Sequence, residues 1–214
     1  MSEQPTILAI DTTLEACSAG LLINGKKITA SEPMARGQTE RLVPMVQELC
    51  AEKNVALGDL DALAVTLGPG SFTGVRVGLA AAQGIAFALS IPLYGYSTLE
   101  AISKTVKERP LTVAVDTKRG EVFTQDFAAD GSAGSAQITN KDDFAKHRHK
   151  VLLTNAVEFD GKKITAESVL NALLDMAEAD LKGKKQISVN DLEPIYLREA
   201  EVSKSKINYR EIKT

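Results

Sequence analysis

The chain has 214 residues, 44% hydrophobic and 25% charged, with a net charge of −3 and a pI near 5.5. That composition suits a folded protein of one large domain or two lobes of roughly a hundred residues, and its mild acidity offers no global attraction to nucleic acid or an anionic membrane. Two cysteines, Cys17 and Cys50, with no CxxC spacing, exclude a disulfide framework and point to buried reduced thiols in a cytoplasmic protein.

Taken in order, residues 6–10 form an apolar run that predicts a buried strand ending at Asp11-Thr12-Thr13. The run is too short for the core of a signal sequence. A second strand over 17–23, the turn Asn24-Gly25 and a third strand over 26–31 read as a hairpin. A helix is expected over 39–52, with Pro44 near its first turn, where proline is tolerated. Its apolar positions, Leu42, Val43, Met45, Val46, Leu49 and Cys50, span an arc of roughly 160°. One core-facing stripe needs less, so two neighbours are expected.

After a strand over 60–67 comes Gly68-Pro69-Gly70-Ser71-Phe72-Thr73-Gly74, a glycine-rich turn opening into a helix over 75–89. Ser71 or Thr73 can cap that helix. The turn lacks the Gly-Lys-Ser/Thr ending of a nucleotide-binding loop, so it reads as a tight bend that lets a helix pack closely. In the helix, large apolar residues point in nearly every direction, with small residues between them and only Arg76 and Gln83 as a polar stripe. A helix apolar all round should be buried all round, and part of the cover is expected to come from another protein. The segment falls short of a bilayer span, so no membrane insertion is expected.

A strand over 91–96 and a helix over 98–107 lead to a boundary at Pro110. The pattern then repeats: Val113-Ala114-Val115-Asp116-Thr117 matches Leu8-Ala9-Ile10-Asp11-Thr12, and a strand over 121–127 again runs into a turn at Asp130-Gly131. An internal repeat predicts two lobes, 1–110 and a reduced 111–214. The second is expected to hold a loop over 131–135, a strand over 150–154 and an amphipathic helix over 165–181. A closing segment from Pro194 is expected to pack back on the first lobe, with an exposed tail from Lys204.

An aspartate-threonine pair at the end of each lobe's first strand (Asp11-Thr12, Asp116-Thr117) is where phosphate-binding hairpins of the actin and sugar-kinase superfamily place such residues. Turn capping is the alternative. His147 and His149, two apart, lack the helical spacing of zinc hydrolases. No Gly-x-Ser-x-Gly occurs and neither cysteine has a plausible histidine partner. Arg36, Arg41, Lys118 and Arg119 are candidate anion contacts, with solvated surface charge as the default. No catalytic constellation emerges from the residues alone.

Four runs together resemble the TsaB (YeaZ) family over nearly the whole chain: Ile7 to Thr12, Gly68 to Gly78, Val115 to Val122, and Glu193-Pro194-Ile195-Tyr196-Leu197-Arg198. The resemblance implies an α/β, actin-like (ASKHA, ribonuclease H-like) fold of two duplicated lobes with mixed sheets. It implies a non-catalytic paralogue of TsaD in making the threonylcarbamoyladenosine of tRNA position 37, forming a heterodimer with TsaD that the ATPase TsaE joins, with tRNA reached through the complex. Where TsaD-like metal sites carry a histidine pair, this chain reads Gly37-Gln38-Thr39-Glu40-Arg41, so no metal is expected. The family's pairing helices coincide with 39–52 and 73–89, giving Leu42, Met45, Leu49, Gly74, Arg76, Gly78, Ala82, Gln83 and Phe87 as the expected docking surface. On it, Gly74 and Gly78 would let the partner helix approach. The same patch predicts a homodimer when the chain is alone. Asp11, Thr12, Asp116 and Thr117 are expected to mark a vestigial nucleotide cleft holding ATP or ADP weakly or only in the complex, with no tightly bound cofactor. The rivals are an actin-like ATPase or small-molecule kinase using Asp11, Thr12 and Asp116, and a metalloprotease.

Overall fold

Period-two alternation in the first strand sets the architecture: Ile7 and Ala9 face one apolar layer, Leu8 and Ile10 the other. The computed structural model describes residues 4–146, 152–156, 158–185 and 188–198. The first sheet holds β1 (Ile7–Asp11), β2 (Ala16–Ile23), β3 (Lys26–Pro33), β4 (Ala62–Thr66) and β5 (Leu93–Tyr96) in the order β3-β2-β1-β4-β5. β2 and β3 close the expected hairpin through Asn24 (φ 49°) and Gly25 (φ 70°), the paired positive φ values that match strand twist in a two-residue turn. β1, β4 and β5 run parallel.

The second sheet holds β6 (Leu111–Asp116), β7 (Glu121–Phe127), β8 (Gln137–Asn140), β9 (Leu152–Thr154) and β10 (Lys162–Lys163) in the order β10-β9-β6-β7-β8. Read from the other edge, this is the first sheet's plan again, with β6–β7 and β7–β8 antiparallel and β6–β9 parallel. The last two strands have shrunk to three and two residues. The repeat of Leu8 to Thr12 in Val113 to Thr117 is therefore a repeat of topology, and the fold is ribonuclease H-like and two-lobed.

Helices α1 (Gln38–Glu52) and α2 (Phe72–Leu89) cover the Leu8/Ile10 face of the first sheet. The other face meets α3 (Thr98–Ser103) and α5 (Ala166–Lys182) in a core shared with Leu111, Val113, Val115 and Phe127 of the second sheet. These two helices are exchanged. α3 follows the first sheet but packs on β6 and β7, whereas α5 follows the second and lies across β1 to β4. Tyr96 at the end of β5 donates to Asp180 on α5 at 2.9 Å, and Lys27 on β3 pairs with Asp175. The short α4 (Lys141–Ala145) covers the outer face of the second sheet through Phe144.

Four elements, α3, β8, α4 and α2, differ from expectation. The helix after Thr98 stops at Ser103, because side chains take its last carbonyls: Ser103 Oγ donates to Glu100, Thr105 Oγ1 to Ile102, and Arg109 to Ser103. β8 and α4 fill a stretch with no expected element; Asn140 caps α4 by accepting from the Asp142 amide at 2.9 Å. α2 begins at Phe72, so its 18 residues are long and apolar enough to cross a membrane by length and composition. Six of them (Gly74, Val75, Gly78, Leu79, Ala82 and Ala86) are instead buried in the chain. The tail from Lys204, His147 and His149 lie outside the described residues.

Candidate functional site

Three features converge where the two sheets meet: the end of β1, the turn into α2, and the end of β6. Asp11 closes β1 and is fully buried. Its Oδ1 accepts from the Thr13 amide (3.1 Å), Thr13 Oγ1 (2.6 Å) and Thr66 Oγ1 (2.6 Å). Its Oδ2 is buried with no hydrogen-bond partner among the described residues. Thr12 donates to the Gly74 carbonyl at 2.6 Å, stitching the strand end to the first turn of α2.

The glycines of the turn are there because this stitch leaves no room. A Cβ on Gly74 would lie 1.8 Å from the Thr12 carbonyl oxygen, one on Gly78 would lie 2.6 Å from Thr12 Oγ1, and one on Gly70 would lie 2.6 Å from the Thr13 carbonyl oxygen. Ser71 caps the helix, accepting from the Gly74 amide at 3.2 Å. The close approach expected of Gly74 and Gly78 is thus made to the chain's own strand, not to a partner helix.

A cavity of about 460 Å³ opens beside this knot. It lies between Thr13 to Glu15, Pro69 to Phe72, the β6–β7 turn and the closing segment from Ile195 to Arg198. Asp116 and Thr117 line it, as do Lys118 and Arg119; Asp11 and Thr12 do not. The four residues expected to share one cleft are therefore split, because Asp11 is buried against Thr13 and Thr66 while Thr12 is consumed in packing α2. Burial pushes the Asp116 carboxyl up, but hydrogen bonds from Lys141 and the Lys118 amide, with the charges of both lysines, outweigh it and leave its pKa below the usual range. Lys141 lies 2.9 Å from Asp116 and also pairs with Glu158, while Lys118 reaches Glu15 of the first lobe at 3.2 Å. Among the described residues no group of three or more His, Cys, Asp or Glu is placed to hold a metal. Arg41 is taken by Glu32 and Glu48, whose hydrogen bonds raise its pKa.

The expected docking residues divide sharply. Leu42, Met45 and Leu49 of α1 are 1%, 1% and 4% exposed, and Gly74, Gly78 and Ala82 of α2 are buried too. Leu42, Met45, Leu49 and Ala82 belong to the core that joins both helices to the first sheet, and Gly74 and Gly78 lie against Thr12, so the six offer no surface. Arg76 and Phe87 are exposed and Gln83 is half-buried. What α2 shows to solvent is an arc of Phe72, Thr73, Arg76, Ala80, Gly84, Phe87 and Ala88, with Phe87 at 80%. Val43 on α1, Phe72 and Tyr196 were not expected there. The outer edge of the α1 apolar arc marks Val43, but no local signal marks Tyr196.

A family profile described as TsaD, tRNA N6-adenosine threonylcarbamoyltransferase, matches residues 32–150. The chain is 33% identical to the tRNA threonylcarbamoyladenosine biosynthesis protein TsaB of Haemophilus influenzae, covering 96% of this chain and 98% of that one. It is 39% identical to the Escherichia coli protein of the same name, over 58% of this chain and 55% of the other. Among solved structures, YeaZ from Pseudomonas aeruginosa superposes with a TM-score of 0.71 at 28% identity, covering 90% of this chain and all of that one.

Proposed function

Because this chain belongs to the TsaB (YeaZ) family, we propose that it is a non-catalytic subunit of the apparatus that transfers threonylcarbamoyl to adenosine 37 of tRNA, acting by docking its TsaD paralogue. The observation that carries this reading is the solvent-facing arc of α2. Phe87 stands 80% exposed on it, next to Ala80, Gly84 and Ala88. Moving such a ring from water into a partner's groove is worth about 1.5–3 kcal/mol, and the small neighbours leave a second helix free to approach. Val43, 47% exposed on α1, adds to the same kind of surface. TsaE joins the pair, tRNA is reached through the complex, and the lone chain covers the arc by dimerising. The burial of Asp11 against Thr13 and Thr66, and of Thr12 against the first turn of α2, supports the absence of a catalytic role.

Size-exclusion chromatography with light scattering tests this, on the chain alone and mixed with TsaD. A heterodimer that replaces a homodimer is expected, and Phe87→Glu should weaken both by about ten-fold or more. A chain that stays separate from TsaD overturns the proposal. The cleft that holds Asp116 and Lys118 keeps an actin-like ATPase or kinase as the second reading. Tight stoichiometric ATP·Mg binding by the lone chain, measured by calorimetry, would favour it.

A further inference from the structure

The closing segment, residues 189–198, is held by side chains rather than by a ladder. It enters as a short 3-10 turn, Val189–Asp191, and continues without strand or helix. The Gln83 side-chain amide donates to the carbonyls of Val189 (3.1 Å) and Leu192 (3.2 Å). About two turns back along α2, Arg76 Nε donates to the Tyr196 hydroxyl at 2.8 Å. The Arg76 guanidinium lies 3.8 Å over the Phe72 ring, whose centroid is 5.3 Å from that of Tyr196. The segment thus follows one edge of α2 from Gln83 back to Phe72.

Its bed is shaped to receive it. Ile195 donates its amide to the Leu67 carbonyl at 2.7 Å. A Cβ on Gly68 would come within 2.9 Å of the Ile195 carbonyl oxygen, and one on Gly95 within 2.9 Å of Leu192 Cδ2. Beyond that bed the chain crosses to the other lobe, where Arg198 pairs with Glu121 at the start of β7. Ile195, Tyr196, Leu197 and Arg198 form part of the wall of the cleft between the lobes.

We propose that residues 189–198 are a strap across this cleft, latched to α2 by Gln83 and Arg76, so that access to the cleft depends on the state of that latch. The grip is local and partly solvent-facing, which places the strap among the parts of a fold that open without global unfolding. Leu192 is the only strap residue buried in the core, so release can begin at Tyr196 and Arg198 and proceed back towards it.

Thr117→Cys places a thiol on the cleft wall, and the native Cys17 and Cys50 are both buried. Its reaction with a thiol reagent should run about ten-fold faster when Arg76→Ala and Gln83→Ala are added, with faster amide exchange at Ile195. Equal labelling rates, with Cys17 and Cys50 still silent, would overturn the strap. If the double variant exposes the native cysteines, Tyr196→Phe decides. It removes only the hydroxyl that Arg76 holds and should still speed both readouts; no change in either overturns the proposal.

Discussion

At the scale of single residues, the steric demand at Gly74 is the most severe among the glycines. A Cβ there would lie 1.8 Å from the Thr12 carbonyl oxygen, and neither atom can yield without moving β1 or α2. Gly74→Ala is expected to cost about 3 kcal/mol or more, read as a shift in the urea midpoint. Gly84 is the contrast: nothing lies within 4 Å of its added Cβ, so Gly84→Ala should stabilise the helix by about 0.5–1 kcal/mol. Asp116 makes a pH-dependent contribution. Its pKa is depressed in the folded state, so the folded chain holds the charged form more readily than the unfolded one. That stability is present above the ordinary carboxylate pKa of about 4 and is lost as pH falls through the lower folded value. Asp116→Asn should flatten the acid limb of a plot of stability against pH below about pH 4.

At the scale of elements, α2 shows how an apolar helix can be half buried and still lack a polar face. Its inner arc carries Val75, Leu79, Ala82 and Ala86 against the first sheet, and its outer arc carries Phe72, Ala80, Gly84, Phe87 and Ala88. Composition made both arcs apolar, so the pattern told that cover was needed without telling which side had it. The two arcs predict opposite behaviour. Ala82 is fully buried, so Ala82→Glu should bury an unpaired charge and unfold the chain. Phe87→Glu should leave the unfolding free energy within about 0.5 kcal/mol of the parent, as surface changes usually do, and act on association alone. α1 follows the same logic. Its 160° arc proved to be mostly core, with Leu42, Met45, Val46, Leu49 and Cys50 inside and Val43 left out.

At the scale of the whole molecule, the exchange of α3 and α5 binds the two lobes into one core. Val169, Leu170, Leu173 and Leu174 of α5 share an apolar cluster with Ile7 and Ala9 of the first sheet and Val113 and Val115 of the second. Local opening of one sheet therefore exposes the other. Cys17 and Cys50 sit on the far side of the first sheet, and burial pushes the Cys17 thiol up to about 11. At pH 8 neither thiol should react with a labelling reagent until the chain unfolds globally. Labelling in dilute urea should therefore track the cooperative transition rather than precede it.

The sequence by itself determined strands β1 to β7 and β9, the Asn24-Gly25 hairpin, both long N-terminal helices and the duplication, because these are written in short-range terms: period two, period 3.6, turn chemistry and a repeated Asp-Thr. Only the tertiary structure decided that Asp11 is sealed while Asp116 lines a cleft, that Gly74 and Gly78 face Thr12, and that α5 covers the opposite lobe. The tertiary structure also decided that Tyr196, 120 residues from Arg76 along the chain, meets it. Each of these turns on which of several equally apolar faces meets which sheet. That choice is made by the packing of distant segments, whose contacts leave no local period to read.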